Sequence, residues 1–192
     1  MMKPVIIGVT GFIGAGKDTF ANYLVKKKGF VHYSLSDILR EEAKKKSIKI
    51  TRENLQRFAN ELRARFGNDI LARKAVEKIM KEKQKRNYVI TSIRNKAEIE
   101  TLRMLENFFL VFIEAPLKLR FERIKARDGK PKKIEEFKKQ EEKELKGKEN
   151  EQQLILCKSL ADLRIKNDST LSVFYSRIEK LLKRLEKEMK KT

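Results

Sequence analysis

Apolar and polar positions along this chain switch repeatedly between a strand period and a helix period. Val5 to Thr10 is a short β-branched run, apolar on both faces, as a central parallel strand covered on both sides requires. A glycine-rich turn follows. Phe20, Tyr23 and Leu24 then recur at helical spacing up to Lys26-Lys27-Lys28 and Gly29, a basic helix end with its C-cap. Phe30 to Ser34 reads as a second strand, and Ser36 or Asp37 as the cap of a helix striped by Ile38, Leu39 and Ala43. Thr51 opens a helix to Phe66 with Leu55, Phe58, Leu62 and Phe66 on one face. Asn68 or Asp69 caps the next, through Ile70, Leu71, Ala75 and Ile79. Tyr88 to Ser92 is a third strand, Lys96 to Glu106 a helix, and Phe108 to Glu114 a fourth, very apolar strand. Pro116 starts a helix bearing Leu119, Phe121 and Ile124. Ala161 to Asn167 is a short fifth strand, and Leu171 to Met189 a long amphipathic helix whose pattern suits packing on the sheet.

Strands alternating with helices predict an α/β fold, a parallel five-stranded sheet with helices on both faces. The length of 192 residues suits one such domain spanning residues 1–192. Residues 128–150 break the pattern. They are dense in Lys and Glu and nearly free of large apolar groups, so they are expected to form a helical, solvated insert outside the core, hinged at Gly129 and Gly147.

The glycine-rich turn carries the first chemistry. Gly11-Phe12-Ile13-Gly14-Ala15-Gly16-Lys17-Asp18-Thr19 fits G-x-x-x-x-G-K, the P-loop or Walker A pattern, between a buried strand and an amphipathic helix. Glycines let backbone N–H groups turn toward phosphate oxygens without a Cβ in the way. The helix beginning near Lys17 adds its positive dipole end, and Lys17 adds a point charge for the β- and γ-phosphates. The loop, from Gly11, Gly14, Ala15 and Gly16 to Lys17, Asp18 and Thr19, is therefore read as an ATP site. The usual hydroxyl after the lysine is Asp18 here, with Thr19 one residue later. Asp18 and Thr19 are the candidate magnesium-binding positions, although Asp18 equally suits a first-turn acid stabilised by the helix dipole.

Composition narrows the setting. One cysteine, Cys157, and one histidine exclude an intramolecular disulfide and zinc clusters of the Cys/His type. No apolar run approaches the ~20 residues of a membrane span, and the N-terminus leads straight into a strand, so a cytoplasmic chain without membrane partner is expected. The net charge of +20, from 47 basic and 27 acidic residues, raises RNA as a partner. The basic residues are spread along the whole chain and alternate with Glu on helices, without interleaved aromatics. That distribution favours a lysine-rich surface around an enzyme whose ligands are phosphates.

The G-K-D-T ending resembles that of nucleoside monophosphate kinases. Ser34-Leu35-Ser36-Asp37-Ile38-Leu39-Arg40 is similar to the S-T-G-D-x-L-R segment of adenylate kinases, and Thr91-Ser92-Ile93-Arg94 to their D-G-x-x-R turn. The resemblance implies that Arg40 and Arg94 hold the phosphate of a nucleotide acceptor. Thr91 replaces the aspartate of that turn, which puts its magnesium or base role in doubt. Arg120, Arg123 and Arg127 share a helix face ahead of the charged insert, which looks like a kinase lid over about 128–150. The resemblance assigns Arg123 and Arg127, and less so Arg120, to the transferring phosphoryl group. It also implies an acceptor-binding helical region over about 36–86. The opening Ile7 to Lys17, with Glu151-Gln152-Gln153 and Ala161-Asp162-Leu163-Arg164-Ile165-Lys166-Asn167-Asp168, is similar to dephospho-CoA kinases, while Arg94-Asn95-Lys96-Ala97-Glu98 resembles archaeal proteins related to adenylate kinase.

The expected function is an ATP- and magnesium-dependent phosphotransferase for a small nucleotide-type acceptor, foremost a nucleoside or deoxynucleoside monophosphate. Dephospho-CoA kinase and an RNA- or ribosome-associated ATPase are the alternatives. A hydroxyl acceptor would call for a base. Asp37 is the best-placed candidate, its competing role being the helix N-cap.

Overall fold

The computed structural model describes residues 4–82, 86–145 and 153–190. Their elements run β1 (Ile6–Gly11), α1 (Lys17–Lys28), β2 (Val31–Ser34), α2 (Leu35–Lys45), α3 (Arg52–Phe66), α4 (Ile70–Lys81), β3 (Tyr88–Thr91), α5 (Lys96–Leu102), β4 (Phe108–Glu114), α6 (Leu117–Asp128), α7 (Ile134–Leu145), α8 (Leu154–Ser159), β5 (Leu163–Lys166) and α9 (Leu171–Met189). The five strands form one parallel sheet in the order β2-β3-β1-β4-β5. This is the expected α/β architecture.

The sheet is buried on both faces, which explains its unbroken apolar strands. On one face Ile6, Ile90 and Leu110 meet α2 to α5 and Cys157 of α8. On the other Ile7, Val9, Val89, Val111 and Ile113 meet α1 and α9. All strands are parallel, so Gly11, Ser34, Thr91, Glu114 and Lys166 end on the same edge. β1 lies between β3 and β4, where successive connections leave in opposite directions. A crevice outside the strand ends forms at such a switch point.

Four readings are corrected by the fold. The cap of α2 is Ser34, not Ser36 or Asp37. β2 passes into α2 without a loop, Ser34 keeps extended backbone (φ −111°, ψ 123°), and its Oγ accepts from the Asp37 N–H. Asp37 is thereby a first-turn acid. Helix α5 ends at Leu102 rather than Glu106, because the chain must turn through Asn107 (φ 57°) to enter β4. The short helix α8 was not anticipated, since six residues are too few to establish a period.

The fourth correction concerns the charged insert. Its described part contains helix α7, and Phe137 of that helix is fully buried against Phe121 and Ile124 of α6, with Ile13 beside them. A single aromatic every few turns suffices to anchor a short helix, and a composition average hides it. Gly129, with φ 69°, ends α6; Gly147 lies outside the described residues, as do Glu151 and Gln152. Among the described residues no helix is long and apolar enough to cross a membrane.

Phe137→Ala should therefore cost about 3 kcal/mol, read as a lower urea midpoint at unchanged slope. A solvated α7 would leave the midpoint where it is.

Candidate active site

The strand–loop–helix turn between β1 and α1 carries the site. Gly16 caps α1 in the left-handed region (φ 99°, ψ 28°) and supplies no side-chain hydrogen bond to the helix start. Loop and surroundings approach closely here. A Cβ on Gly16 would collide with the Asn167 side-chain amide, and one on Gly14 (φ 75°) would come within 2.6 Å of the Arg120 carbonyl oxygen. Within the loop, Ala15 N–H donates to the Phe12 carbonyl (3.1 Å).

Three side chains brace this turn from behind. Asn167, at the end of β5, donates from Nδ2 to the Ala15 carbonyl (2.8 Å). Arg123 donates to the Asn167 carbonyl (3.1 Å) and side-chain oxygen (3.3 Å), and more weakly to the Gly14 carbonyl (3.4 Å). Arg120 is buried. Its Nε donates to the Ala115 carbonyl (2.9 Å), its Nη1 to Ile13 (3.4 Å), and its fork grips Glu141 of α7, with Nη2 3.1 Å from Oε2. The same guanidinium lies over the rings of Phe12 and Phe137. Arg120 thus joins the loop, α6 and α7, as a buried, fully hydrogen-bonded pair must to offset desolvation.

On the open side, Lys17 Nζ donates to the carbonyls of Gly11 (2.8 Å) and Phe12 (2.9 Å). Asp18 is exposed and Thr19 half-buried in the first turn of α1. A cavity of about 520 Å³ starts at Gly11, Ile13 and Lys17 and extends to Ser36 and Arg40 of α2, to Ser92 and Arg94 beyond β3, and to Arg127 and Asp128 at the end of α6. Leu39 and Leu71 are among the apolar residues of its wall, and Gln56 and Asn60 of α3 among the polar ones. Lys17, Arg40, Arg94 and Arg127 are thereby brought to one cavity. Asp37, Asp18, Thr19, Arg120 and Arg123 do not line it.

Local bonds set the acceptor-side residues. Arg40 donates to Ser36 Oγ (3.0 Å) and Asp37 Oδ1 (2.6 Å), so the Asp37 carboxylate is held outward against an arginine. Ser92 has φ 65°, and its hydroxyl lies 3.3 Å from Ser36 Oγ, which in turn is 2.9 Å from Ser34 Oγ. The turn that follows is fastened by a capping box on Asn95 and Glu98, in which the fully buried Glu98 accepts from the Arg94 (2.8 Å) and Asn95 (3.2 Å) amides. Thr91 is buried and bonds the His32 ring nitrogen Nε2 (2.8 Å). Desolvation on that side lowers the His32 pKa below its ordinary 6.5, against the opposing pull of Asp37 and Asp18.

Sequence reasoning missed two features of the site. One is the Asn95-x-x-Glu98 spacing, a legible capping signature. The other is Arg63, which lines the cavity from the inner edge of α3; an arginine one turn after Ala59 on a buried face was its only signal.

Comparison with known proteins gives this geometry a context. Residues 7–152 match a family model described as an AAA domain. The chain is 32% identical to a UPF0200 protein of Thermococcus onnurineus over 94% of its own length and 98% of that protein. It is 34% identical to one of Sulfurisphaera tokodaii over 94% and 97%.

The chain belongs to the UPF0200 family.

It also aligns, at 31% identity over 98% of its own length, with 58% of a UPF0200/UPF0201 protein of Archaeoglobus fulgidus. Among solved structures it superimposes on TT1252 from Thermus thermophilus with a TM-score of 0.63 (21% identity, 97% of this chain and 98% of that one). Shikimate kinase from Aquifex aeolicus gives 0.55 (18% identity, 96% and 98%). At these identities the likeness is one of fold, that of P-loop kinases. Of the expected kinship with adenylate and dephospho-CoA kinases, the kinase-like P-loop fold is what these likenesses support, and the family is UPF0200.

Two measurements test this description. Asn167→Ala frees the Ala15 carbonyl and should lower stability by about 1–2 kcal/mol, with Gly16→Ala costing more; Gly16→Ala at wild-type stability would contradict the close approach. The imidazole of His32, the single histidine, should titrate below 6.5 by NMR. Its depressed folded pKa contributes stability that is present above pH 6.5 and declines as pH falls through the folded value, so His32→Gln should flatten that decline.

Proposed function

We propose that this protein transfers the γ-phosphoryl group of ATP to a small nucleotide-type acceptor, foremost a nucleoside or deoxynucleoside monophosphate. The carrying observation is the single cavity that joins Lys17 of the P-loop to Arg40 and Arg94 at the ends of β2 and β3. Phosphoryl transfer needs alignment and charge neutralisation more than covalent help, and a cleft lined by arginines at one end and a P-loop lysine at the other supplies both.

The residues fit their ligands. A helix start without a side-chain cap, at a left-handed glycine, suits the phosphate chain of ATP. Lys17, now satisfied by two loop carbonyls, exchanges them for phosphate oxygens. Asp18 and Thr19 in the first turn suit a magnesium ion held largely through water. Among the described residues no cluster of three His, Cys, Asp or Glu side chains would cage it directly. Magnesium would supply charge neutralisation on the β- and γ-phosphates. Arg40 and Arg94 pin the acceptor, Arg127 faces the cavity from the other side, and Arg123 acts from behind the loop. The described part of the stretch over about 128–150 serves as a lid tied to the P-loop through Arg120, and the described helices of the region over about 36–86 as the acceptor-binding part.

The placement of the carboxylates favours a monophosphate over the hydroxyl of dephospho-CoA. An anionic acceptor needs no strong base, whereas Asp37 is turned to Arg40 outside the cavity, Thr91 offers no carboxylate, and Asp128 on the cavity wall is paired through both oxygens with Arg127.

A coupled ADP-release assay with each monophosphate, with dephospho-CoA and with no acceptor should show release that depends on a monophosphate. Acceptor-independent release stimulated by RNA would replace this reading with an ATPase. Lys17→Ala should cut turnover at least ~100-fold with unchanged circular dichroism. Arg94→Ala should raise the acceptor KM much more than the ATP KM; equal effects on the two would refute its assignment to the acceptor.

A further inference from the structure

Among the described residues, Arg63 is the one with a buried side-chain nitrogen that has no hydrogen-bond partner. Its side chain is 8% exposed, and its one hydrogen bond, from Nη2 to Glu98 Oε1, is long at 3.4 Å. Its Nε is buried with no partner among the described residues. The other oxygen of the Glu98 carboxylate, Oε2, is given to the Arg94 and Asn95 amides at shorter distances, so Arg63 is left with Oε1 alone. A buried guanidinium with five donors and one weak bond is costly, and such a group in a native structure calls for a role that offsets the cost.

The surroundings say what that ligand is. Arg63 lines the same cavity as Arg40 and Arg94, and the charged lining consists of Lys17, Arg40, Arg52, Arg63, Arg94 and Arg127 against the carboxylate of Asp128 alone. The neighbouring α3 side chains Asn60 and Gln56, and Ser92 of the β3 turn, add short polar groups. Carboxylates would not complete the set from within, since Glu98 is fully buried and Asp37 is held by Arg40. Planar donors arranged in forks suit a tetrahedral or planar oxyanion.

We infer that Arg63 is an acceptor-binding residue, which with Arg94 grips the anionic group of the second substrate and is drawn from its weak Glu98 contact onto that group. This rests on the two-substrate reading above and adds to it a residue and a requirement: the acceptor enters as an anion whose oxygens replace the missing partners of Arg63. Because Glu98 fastens the Arg94 turn, the same anion ties α3 to that turn.

The test uses inorganic phosphate as probe, titrated calorimetrically into protein whose P-loop is already filled with magnesium and a non-hydrolysable ATP analogue. Three proteins are compared: wild type, Arg63→Lys, and Arg63→Met combined with Glu98→Gln, the last so that no buried carboxylate is left unpaired. Expected is phosphate binding to wild type, weakened at least tenfold in both variants, with affinity for the ATP analogue unchanged. A purely structural Arg63 would lower the melting temperature in the variants and leave phosphate affinity at the wild-type value, which overturns the inference. Absence of phosphate binding to wild type overturns it as well. Monophosphate-dependent ADP release alongside either overturning result would show that the kinase reading stands without Arg63. Tight phosphate binding lost in the variants, without ADP release to any monophosphate, would retain the anion subsite and remove the proposed acceptor.

Discussion

The fold depends on how closely the P-loop approaches the strands and helix behind it. Gly14 passes the backbone of α6 and Gly16 passes Asn167 at separations that leave no room for a side chain. The loop is therefore not a flexible tether. It is a turn clamped from three sides, by β5 through Asn167, by α6 through Arg123 and Arg120, and by α7 through the Arg120–Glu141 pair. Backbone amides can serve an anion only if they are held in place beforehand, so that no ordering cost falls on binding. The interior faces of β1 and β4 provide the rigid base for that clamp, since side chains packed on both sides leave the strands nowhere to shift.

The arginines divide by what they touch. Arg120 and Arg123 work inward, holding the loop through carbonyls, and each guanidinium nitrogen of Arg120 has a protein partner. Arg40, Arg94, Arg63 and Arg127 work outward along one cavity. Spacing on α6 puts Arg120, Arg123 and Arg127 on one face, yet that face turns from core to cavity along its length. Helical periodicity reports which residues share a side, while burial depends on how the neighbouring elements taper away from that side. The membership in UPF0200 and the likeness to P-loop kinases concern the scaffold; the proposed reaction is argued from these outward residues.

Much of the architecture was legible in the chain. The double-faced apolar strands β1 and β4, the Thr51 cap, and the bounds of β4 and α9 follow from local period and capping chemistry, because each is decided by contacts within a few residues. Elements decided by their neighbours were not. Ser34 caps α2 because β2 runs directly into it, α5 stops early because β4 must begin, and α8 is held by Leu154 and Cys157 entering the core. The charged insert departs from its composition at Phe137, one apolar residue whose weight comes from a pocket that α6 supplies.

By itself the sequence determined the sheet, the order of its strands and of the helices outside the insert region, and the glycine-rich loop, since β-branched runs, capping residues and the glycine spacing act over short range. Only the tertiary structure decided which charges share a cavity. Arg40, Arg63 and Arg94 are far apart in the chain and meet because parallel strands deliver their ends to one edge, over which α2 and α3 fold. It also decided that Asp37 faces Arg40 rather than the cavity, and that Arg63 is left buried with too few partners. Those outcomes depend on long-range packing and on the desolvation it imposes, and neither can be read from the spacing of residues along a chain.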